Sequence, residues 1–221
     1  MTMPPSLDET APGPPLEILP GQLCGRLSFP DLFGRAAPVE IEVGIGKGRF
    51  LLQQAETRRD VDFLGLEWSL KHLRVAKERA ERRGLRNLRL YRADARHVIA
   101  DLVPDASIAR LHVYCPDPWP KKRHRKRRFF APETVPHLER ALAPGGYLHV
   151  STDVLEYFEE ILEVLASRTG LLAAADPLFT DEAARSGTHY EEKYREEGRA
   201  IHRASYQRPA GAARHVGGLP S

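Results

Sequence analysis

Within twelve residues this chain brings together one carboxylate, one indole and seven cations. Asp117 and Trp119 lie in Cys115-Pro-Asp-Pro-Trp-Pro120. Lys121, Lys122, Arg123, Arg125, Lys126, Arg127 and Arg128 follow at once, with His124 among them. Cations at this density meet phosphates, an indole face stacks on or walls a base, and a carboxylate accepts hydrogen bonds from a base edge. Together they suit a nucleic-acid partner. A basic run alone is usually a solvated face and an Asp-Pro alone a turn, so the combination carries the weight.

A second set of residues has the spacing of a small-molecule site. Glu42 stands before Gly44-Ile-Gly46-Lys-Gly48, and Glu67 and Asp94 follow later in the chain. An acid about twenty residues past a glycine turn binds ribose hydroxyls in α/β folds. Glycine turns of this kind serve both dinucleotides and S-adenosylmethionine. A carboxylate at Glu42 opposes a pyrophosphate but suits an ammonium group or a sulfonium, and the third glycine of the pyrophosphate fingerprint is missing. Lys47 counts the other way, as a phosphate partner. Asp94 fits a further role, accepting from an adenine amino group. The balance favours S-adenosylmethionine as cofactor, held by Glu42, Gly44, Gly46, Glu67 and Asp94; a nicotinamide oxidoreductase is the more distant choice.

These residues need rigid elements behind them. A strand over 39–43 runs into the glycine turn and then a helix through Phe50, Leu51, Leu52 and Ala55. A second strand over 62–67 ends at Glu67. The helix after it is predicted over 69–83, with Ser69 as N-cap and Leu70, Leu73, Ala76 and Ala80 at helical spacing. A third strand over 88–92 leads to Asp94, and a fourth ends before Pro116, where proline stops the ladder. A helix over 133–142 is broken by Pro144-Gly145-Gly146, and a fifth strand over 147–152 ends at Asp153. Leu155, Phe158, Ile161, Leu162 and Leu165 share the face of one more helix, and residues 200–206 read as antiparallel closing strands. This alternation predicts an α/β, doubly wound, Rossmann-like fold with a mostly parallel sheet. Glu67, Asp94, Asp117 and Asp153 then open on the carboxyl edge, where such sheets bind ligands.

At 221 residues with 42% apolar content, the chain is expected to form one domain over 21–208. A Pro-rich flexible arm is expected over 1–20 and a flexible tail over 209–221. No apolar run is long enough to cross a bilayer, no secretory leader is evident, and Cys24 and Cys115 form no metal or redox spacing. A cytoplasmic protein without a metal, monomeric or homodimeric, is the expectation. The formal net charge is +3, and without the seven Lys and Arg of 121–128 it becomes −4. The positive field is concentrated beside Asp117, which favours a polyanion docked at one place.

The run Cys-Pro-Asp-Pro-Trp-Pro-Lys-Lys-Arg-His-x-Lys-Arg-Arg resembles the signature of the bacterial tRNA (guanine-N7)-methyltransferases, and the similarity extends from about Val39 to Tyr206. The resemblance implies a class I S-adenosylmethionine-dependent fold with tRNA as partner. It matches Glu42, Glu67 and Asp94 to cofactor contacts and Asp117 to both the cofactor and the catalytic centre. It implies substrate contacts at Lys121, at Asp153, and in Thr188-His189-Tyr190-Glu191, which matches the family's Thr-x-x-Glu. Phosphate contacts are expected from Lys122, Arg123, Arg125, Lys126, Arg127 and Arg128. The amino end departs from the family, with a Pro-rich stretch where a longer basic segment is usual.

Guanine N7 has an in-plane lone pair and no proton, so its methylation needs no general base. It needs in-line positioning and a carboxylate near the charge that grows on the ring. Carboxylates also accept from the N1–H and N2–H pair of guanine. Two rival readings stay open at this point. Cys115 could serve as a nucleophile for methylation at another RNA base position, although a strand cysteine is usually just packed. A non-catalytic RNA-binding module on the same fold is the other, and it would not need Glu42, Glu67 and Asp94 together.

Overall fold

Short β-forming runs alternate with amphipathic helices, and the computed structural model, which describes residues 15–18, 25–178 and 196–211, assembles them into one eight-stranded sheet. The strands are β1 (Glu17–Ile18), β2 (Val39–Val43), β3 (Asp62–Leu66), β4 (Leu88–Tyr91), β5 (Ile108–Tyr114), β6 (Leu142–Thr152), β7 (Leu172–Ala173) and β8 (His202–Gln207). The helices are α1 (Phe29–Phe33), α2 (Arg49–Thr57), α3 (Leu70–Arg82), α4 (Ala95–His97), α5 (Val135–Ala141) and α6 (Leu155–Arg168). The order across the sheet is β1-β4-β3-β2-β5-β6-β8-β7. Neighbours from β1 to β6 pair in parallel, and β8 runs antiparallel to β6 and β7. This is the doubly wound architecture with antiparallel closing strands that the alternation predicts.

Both faces of the sheet are covered, so β2 and β3 are buried at every position. One core joins Ile41, Leu64, Leu111, Val113 and Leu148 to Leu138, Tyr157 and Ile161 of the helices on that face. The other joins Phe63, Leu88 and Leu90 to Leu51 and Leu52 of α2 and to Leu73, Ala76 and Ala80 of α3. Ser69 caps α3, its hydroxyl accepting from the His72 N–H at 3.4 Å. The chain leaves β2 toward β3 and β4, then returns to β5 on the other side of β2. The carboxyl ends of β2 and β5 therefore flank the crevice of a topological switch point.

Several local expectations shift. Glu17 and Ile18, within the stretch read as a flexible arm, pair with Leu90 and Tyr91, and Ile18 is buried. The helix expected over 133–142 is Val135–Ala141, with Pro at its amino end, where its missing N–H costs nothing. The fifth long strand starts at Leu142 instead of Tyr147. Pro144-Gly145-Gly146 does not end the pairing but makes an irregularity in it, between the partners of Ile108 and Arg110. A Cβ on Gly146 would sit 2.9 Å from the Ala143 oxygen and 3.0 Å from that of Ala109, so only glycine fits there.

Candidate functional site

The glycine turn closes β2 and opens α2. Gly44 has φ +72° and Gly48 φ +75°, left-handed values that suit glycine. The two do different work. A Cβ on Gly48 would lie 2.5 Å from Leu52 Cδ1 and 3.0 Å from Ala76 Cβ, so this glycine lets α2 and α3 pack. A Cβ on Gly44 would meet nothing within 4 Å, so its exposed backbone is approachable by a ligand. Glu67 fastens the turn: one carboxylate oxygen accepts from the Gly46 N–H at 2.8 Å and the other from the Ser69 N–H at 2.7 Å. Each oxygen keeps a second lone pair for a hydroxyl. Glu42 is buried on β2, opposite His112 in register.

Asp94 follows β4 and caps α4. It accepts from the Arg96 N–H at 2.9 Å and pairs with the Arg96 guanidinium at 3.0 Å. The hydrogen bond from Arg96 holds its carboxyl below the usual range. Asp153 follows β6, its side chain mostly buried, and pairs with Arg199, which also reaches Glu197 at 3.7 Å. It is not the cap of α6, a position Val154 takes. Sequence reasoning did not find Arg199, because no local pattern links residues that far apart. Since β4, β3, β2, β5 and β6 are consecutive neighbours, Asp94, Glu67, the glycine turn, Asp117 and Asp153 stand in that order along one edge. Thr188, His189, Tyr190 and Glu191 lie outside the described residues.

The Asp117 loop is held in unusual backbone geometry. Cys115 and Trp119 have φ +47° and +41° without being glycine, which costs about 1–3 kcal/mol each. The Cys115 N–H donates to the Ser151 oxygen at 2.8 Å. Arg128 donates from Nε to the Pro118 oxygen at 2.7 Å. Arg127 lies over the Trp119 ring at 5.0 Å, and His124 meets the same ring edge-on at 5.8 Å. Asp117 itself is exposed, and among the described residues no side chain claims its carboxylate.

The basic run divides in two. Arg128 is buried, pairs with Glu160, and packs over Tyr157 at 4.6 Å. Arg125 pairs with Glu160 at 2.9 Å and with Glu156. Of these two candidates for phosphate contact, Arg128 is buried and pins the loop from inside, while Arg125 is half-exposed and shared with α6. Lys122, Arg123, Lys126 and Arg127 remain exposed on the short turn over 122–127, and Lys121 is exposed just before it.

Behind the site, a polar cluster continues the α2 and α3 face of the sheet across β2, β5 and β6. Glu40 of β2 accepts from Arg58, from Arg110 Nη1 at 2.9 Å and from His112 Nε2 at 3.1 Å. Asp176 accepts from Arg110 Nε at 2.6 Å and His149 Nε2 at 3.1 Å. The two imidazoles stack at 5.1 Å, and Phe50 lies 4.9 Å from His112. Burial drives the His112 imidazole down to about 4 against the opposing pull of Glu40, so the ring is neutral near pH 7. Its Nε2–H donates to Glu40, and its Nδ1 accepts from the Tyr114 hydroxyl at 3.0 Å, at the root of the Asp117 loop. Burial also pushes Glu40 and Asp176 upward. The hydrogen bonds from His112 and His149 and the charges of Arg58 and Arg110 prevail and hold both below the usual carboxylate range.

As pH falls below about 6.5, unfolded His112 takes up a proton that folded His112 refuses down to about 4. Stability is therefore full above that window and lost through it. Glu40 and Asp176, with depressed folded values, extend the loss to lower pH. Thermal midpoints across pH 3–8 should fall steeply on the acid side, and the slope between pH 6.5 and 4 should flatten in His112→Gln.

The family model described as "Putative methyltransferase" matches residues 36–204. The chain is 42% identical over 153 residues to the tRNA (guanine-N(7)-)-methyltransferase of Chromohalobacter salexigens, covering 69% of this chain and 62% of that one. It is 37% identical over 177 residues to the enzyme of the same name from Alkalilimnicola ehrlichii, covering 80% and 75%. The match thus spans about three fifths of the length of the first of these relatives. Among solved structures, a 16S rRNA methyltransferase, KamB, superposes with TM-score 0.60 at 18% identity over 82% of this chain and 92% of that one. A 30S ribosomal A1408 methyltransferase from an uncultured bacterium gives 0.58 at 12% over 81% and 92%. At such identities the structural likeness shows the fold.

Proposed function

The chain belongs to the tRNA (guanine-N(7)-)-methyltransferase family, and on that premise we propose that it transfers a methyl group from S-adenosylmethionine to N7 of a guanine in tRNA. The observation that carries this reading is the row of acids along one sheet edge. Asp117 stands exposed there between the approachable glycine turn and five exposed cations.

The chain's residues fit the cofactor. Gly44 offers open backbone, Glu67 retains lone pairs for ribose hydroxyls, Asp94 for the adenine amino group, and Glu42 places a buried carboxyl group just before the turn. When bound, S-adenosylmethionine supplies an electrophilic methyl carbon on a sulfonium. Asp117 and Asp153 accept from the guanine edge and fix its orientation, with Lys121 and the Thr188–Glu191 stretch assigned to the same substrate. N7 carries no proton, so none of these groups needs to remove one. Asp117 offsets the positive charge arriving on the ring. The bent geometry at Cys115 and Trp119 aims the carboxylate outward from a loop that Arg128 holds from below. A tRNA substrate and this cofactor both suit a cytoplasmic location.

The direct test is incubation with labelled S-adenosylmethionine and unmodified tRNA, followed by reduction and aniline cleavage, which cut specifically at N7-methylguanosine. Label incorporated without cleavage would move the reaction to another base position.

Two further outcomes are expected. Replacing Lys122, Arg123, Lys126 and Arg127 with Ala should weaken tRNA binding and flatten its salt dependence, by roughly 0.9 log–log units for each phosphate that no longer meets a cation. S-adenosylmethionine affinity should barely move, and an unaltered slope would place the RNA elsewhere. Glu67→Gln turns an acceptor facing backbone N–H groups into a donor. It should cost about 1.5–3 kcal/mol of S-adenosylmethionine affinity by calorimetry, and parent-like binding would remove Glu67 from the site.

A further inference from the structure

Of the two carboxylates set for the guanine edge, one carries a cation and the other does not. β5 and β6 end side by side, with Tyr114 in register with Ser151 and the Cys115 N–H donating to the Ser151 oxygen at 2.8 Å. Asp117 and Asp153 leave from those adjacent ends. Asp117 is exposed, with no side-chain partner among the described residues. Asp153 keeps only 7% of its side-chain surface, and its Oδ2 is held by the Arg199 guanidinium. Among the described residues no other cation reaches that carboxylate.

The antiparallel register brings Arg199 there. Thr152, the last residue of β6, pairs with His202, the first of β8, so the residues just before His202 pass beside Asp153. Both sides of this crossing are fixed. His202 stacks on Phe158 of α6 at 5.5 Å, and Thr152 Oγ1 accepts from the Val154 N–H at 3.3 Å. Gly198, with φ +71°, turns the chain immediately before Arg199. Arg199 also lies 3.7 Å from Glu197, an exposed acid of the same segment.

A guanidinium on a carboxylate has two effects. It fixes the plane and direction of the group, because arginine presents its donors in a rigid fork. It also cancels most of the field that the group would put on a nearby ring. Asp153 is therefore suited to read hydrogen-bond donors and poorly suited to answer a growing positive charge, which falls to Asp117. An ionised carboxylate has about four lone-pair sites, so one guanidinium leaves room for N–H donors of a base. On the guanine edge, the donor that sets it apart from hypoxanthine is the 2-amino group.

We infer that Arg199 is a positioning residue that sets base choice: it holds Asp153 so that the carboxylate accepts from the 2-amino group of guanine. This rests on the proposed methylation of guanine N7 and deepens it, by separating selection of the base at Asp153 from the answering of charge at Asp117.

The test pairs the full chain with two tRNA transcripts, one with guanine and one with inosine at the position that aniline cleavage identifies. Inosine keeps N7 and N1–H and lacks the 2-amino group. Methylation of each is read as label from S-adenosylmethionine for the parent, Arg199→Ala, Arg199→Lys, Asp153→Asn and the double variant Arg199→Ala/Asp153→Asn. The parent should prefer guanine in kcat/KM by about 10- to 150-fold, the worth of one hydrogen bond to a charged acceptor. In Arg199→Ala that preference should shrink by about five- to tenfold, through guanine's rate and not inosine's. Arg199→Lys, which keeps the charge, should recover part of it. The double variant should lose no more preference than Asp153→Asn alone, because Arg199 acts through Asp153. Each ratio is taken within one preparation, so a lower folded fraction cancels from it.

A parent-like preference in Arg199→Ala, whatever its absolute rate, would overturn the inference and leave the ion pair a structural tie. So would a loss in the double variant beyond that of Asp153→Asn, which would put Arg199 on the RNA itself. Faster methylation by Arg199→Ala would also overturn it, making the guanidinium a block on the carboxylate. A parent that methylates both transcripts alike defeats the inference and leaves the reaction standing. A parent that methylates no guanine N7 defeats the reaction, and the inference with it, before any variant is made.

Discussion

Asp117→Asn should lower the methylation rate of tRNA about 10²- to 10³-fold, the loss typical of removing one preorganised electrostatic group. The side chain is exposed and, among the described residues, unclaimed, so the substitution should leave the fold and most tRNA affinity intact. Asn keeps the shape but turns one acceptor into a donor, which then faces the N–H groups of the guanine edge. The effect should sit in kcat more than in KM, since the charge it answers grows during transfer. Cys115→Ser is the paired control. Cys115 is half-buried and its backbone holds the strained turn, while attack by N7 needs no covalent enzyme intermediate. Most activity should survive. A folded but inactive Cys115→Ser beside an active Asp117→Asn would overturn the proposal in favour of a cysteine-dependent mechanism.

Glu40→Ala should destabilise the protein by about 3–5 kcal/mol, the cost of stranding buried charge when one partner of a buried pair is removed. Glu40 is fully buried and is the shared acceptor of Arg58, Arg110 and His112. Without it two guanidiniums keep their charge in a partly buried place, and His112 loses what fixes its tautomer. Urea unfolding reads the loss directly, and a change below about 1 kcal/mol would mean that water replaces the carboxylate. Any folded fraction should also show weaker methylation, because Tyr114, bonded to His112, leads into the Asp117 loop.

Much of this arrangement is legible in the sequence, because strands that end at Glu67, Asp94, Asp117 and Asp153 must, in a parallel sheet, end on one edge. Local signals also give Ser69 as a cap and Gly44 as an open turn. What stays hidden depends on pairing between distant segments. Nothing near Arg128 says that Glu160 will neutralise it; only the docking of α6 under the loop does. The buried cluster leaves a faint trace, polar residues at every second position in Glu40 and Glu42 and in Arg110, His112 and Tyr114. The register that sets Glu40 against Arg110 and His112 against His149 turns that alternation into a network. The strand through Pro144-Gly145-Gly146 fails for a related reason, since a local breaker became a tolerated irregularity between long partners.

The chain has two tryptophans, Trp68 and Trp119, one after β3 and one after β5. Neither belongs to a hydrophobic core, whose aromatic members are phenylalanines and Tyr157. Indole emission from the unlabelled protein is therefore a native optical signal of what occupies the carboxyl edge of the sheet, with one fluorophore after β3 and one after β5. Single replacement of either indole separates the two signals without attaching a dye. The same placement makes that emission a poor witness of global unfolding. Circular dichroism is the better reporter there, because it follows the backbone of the sheet and helices.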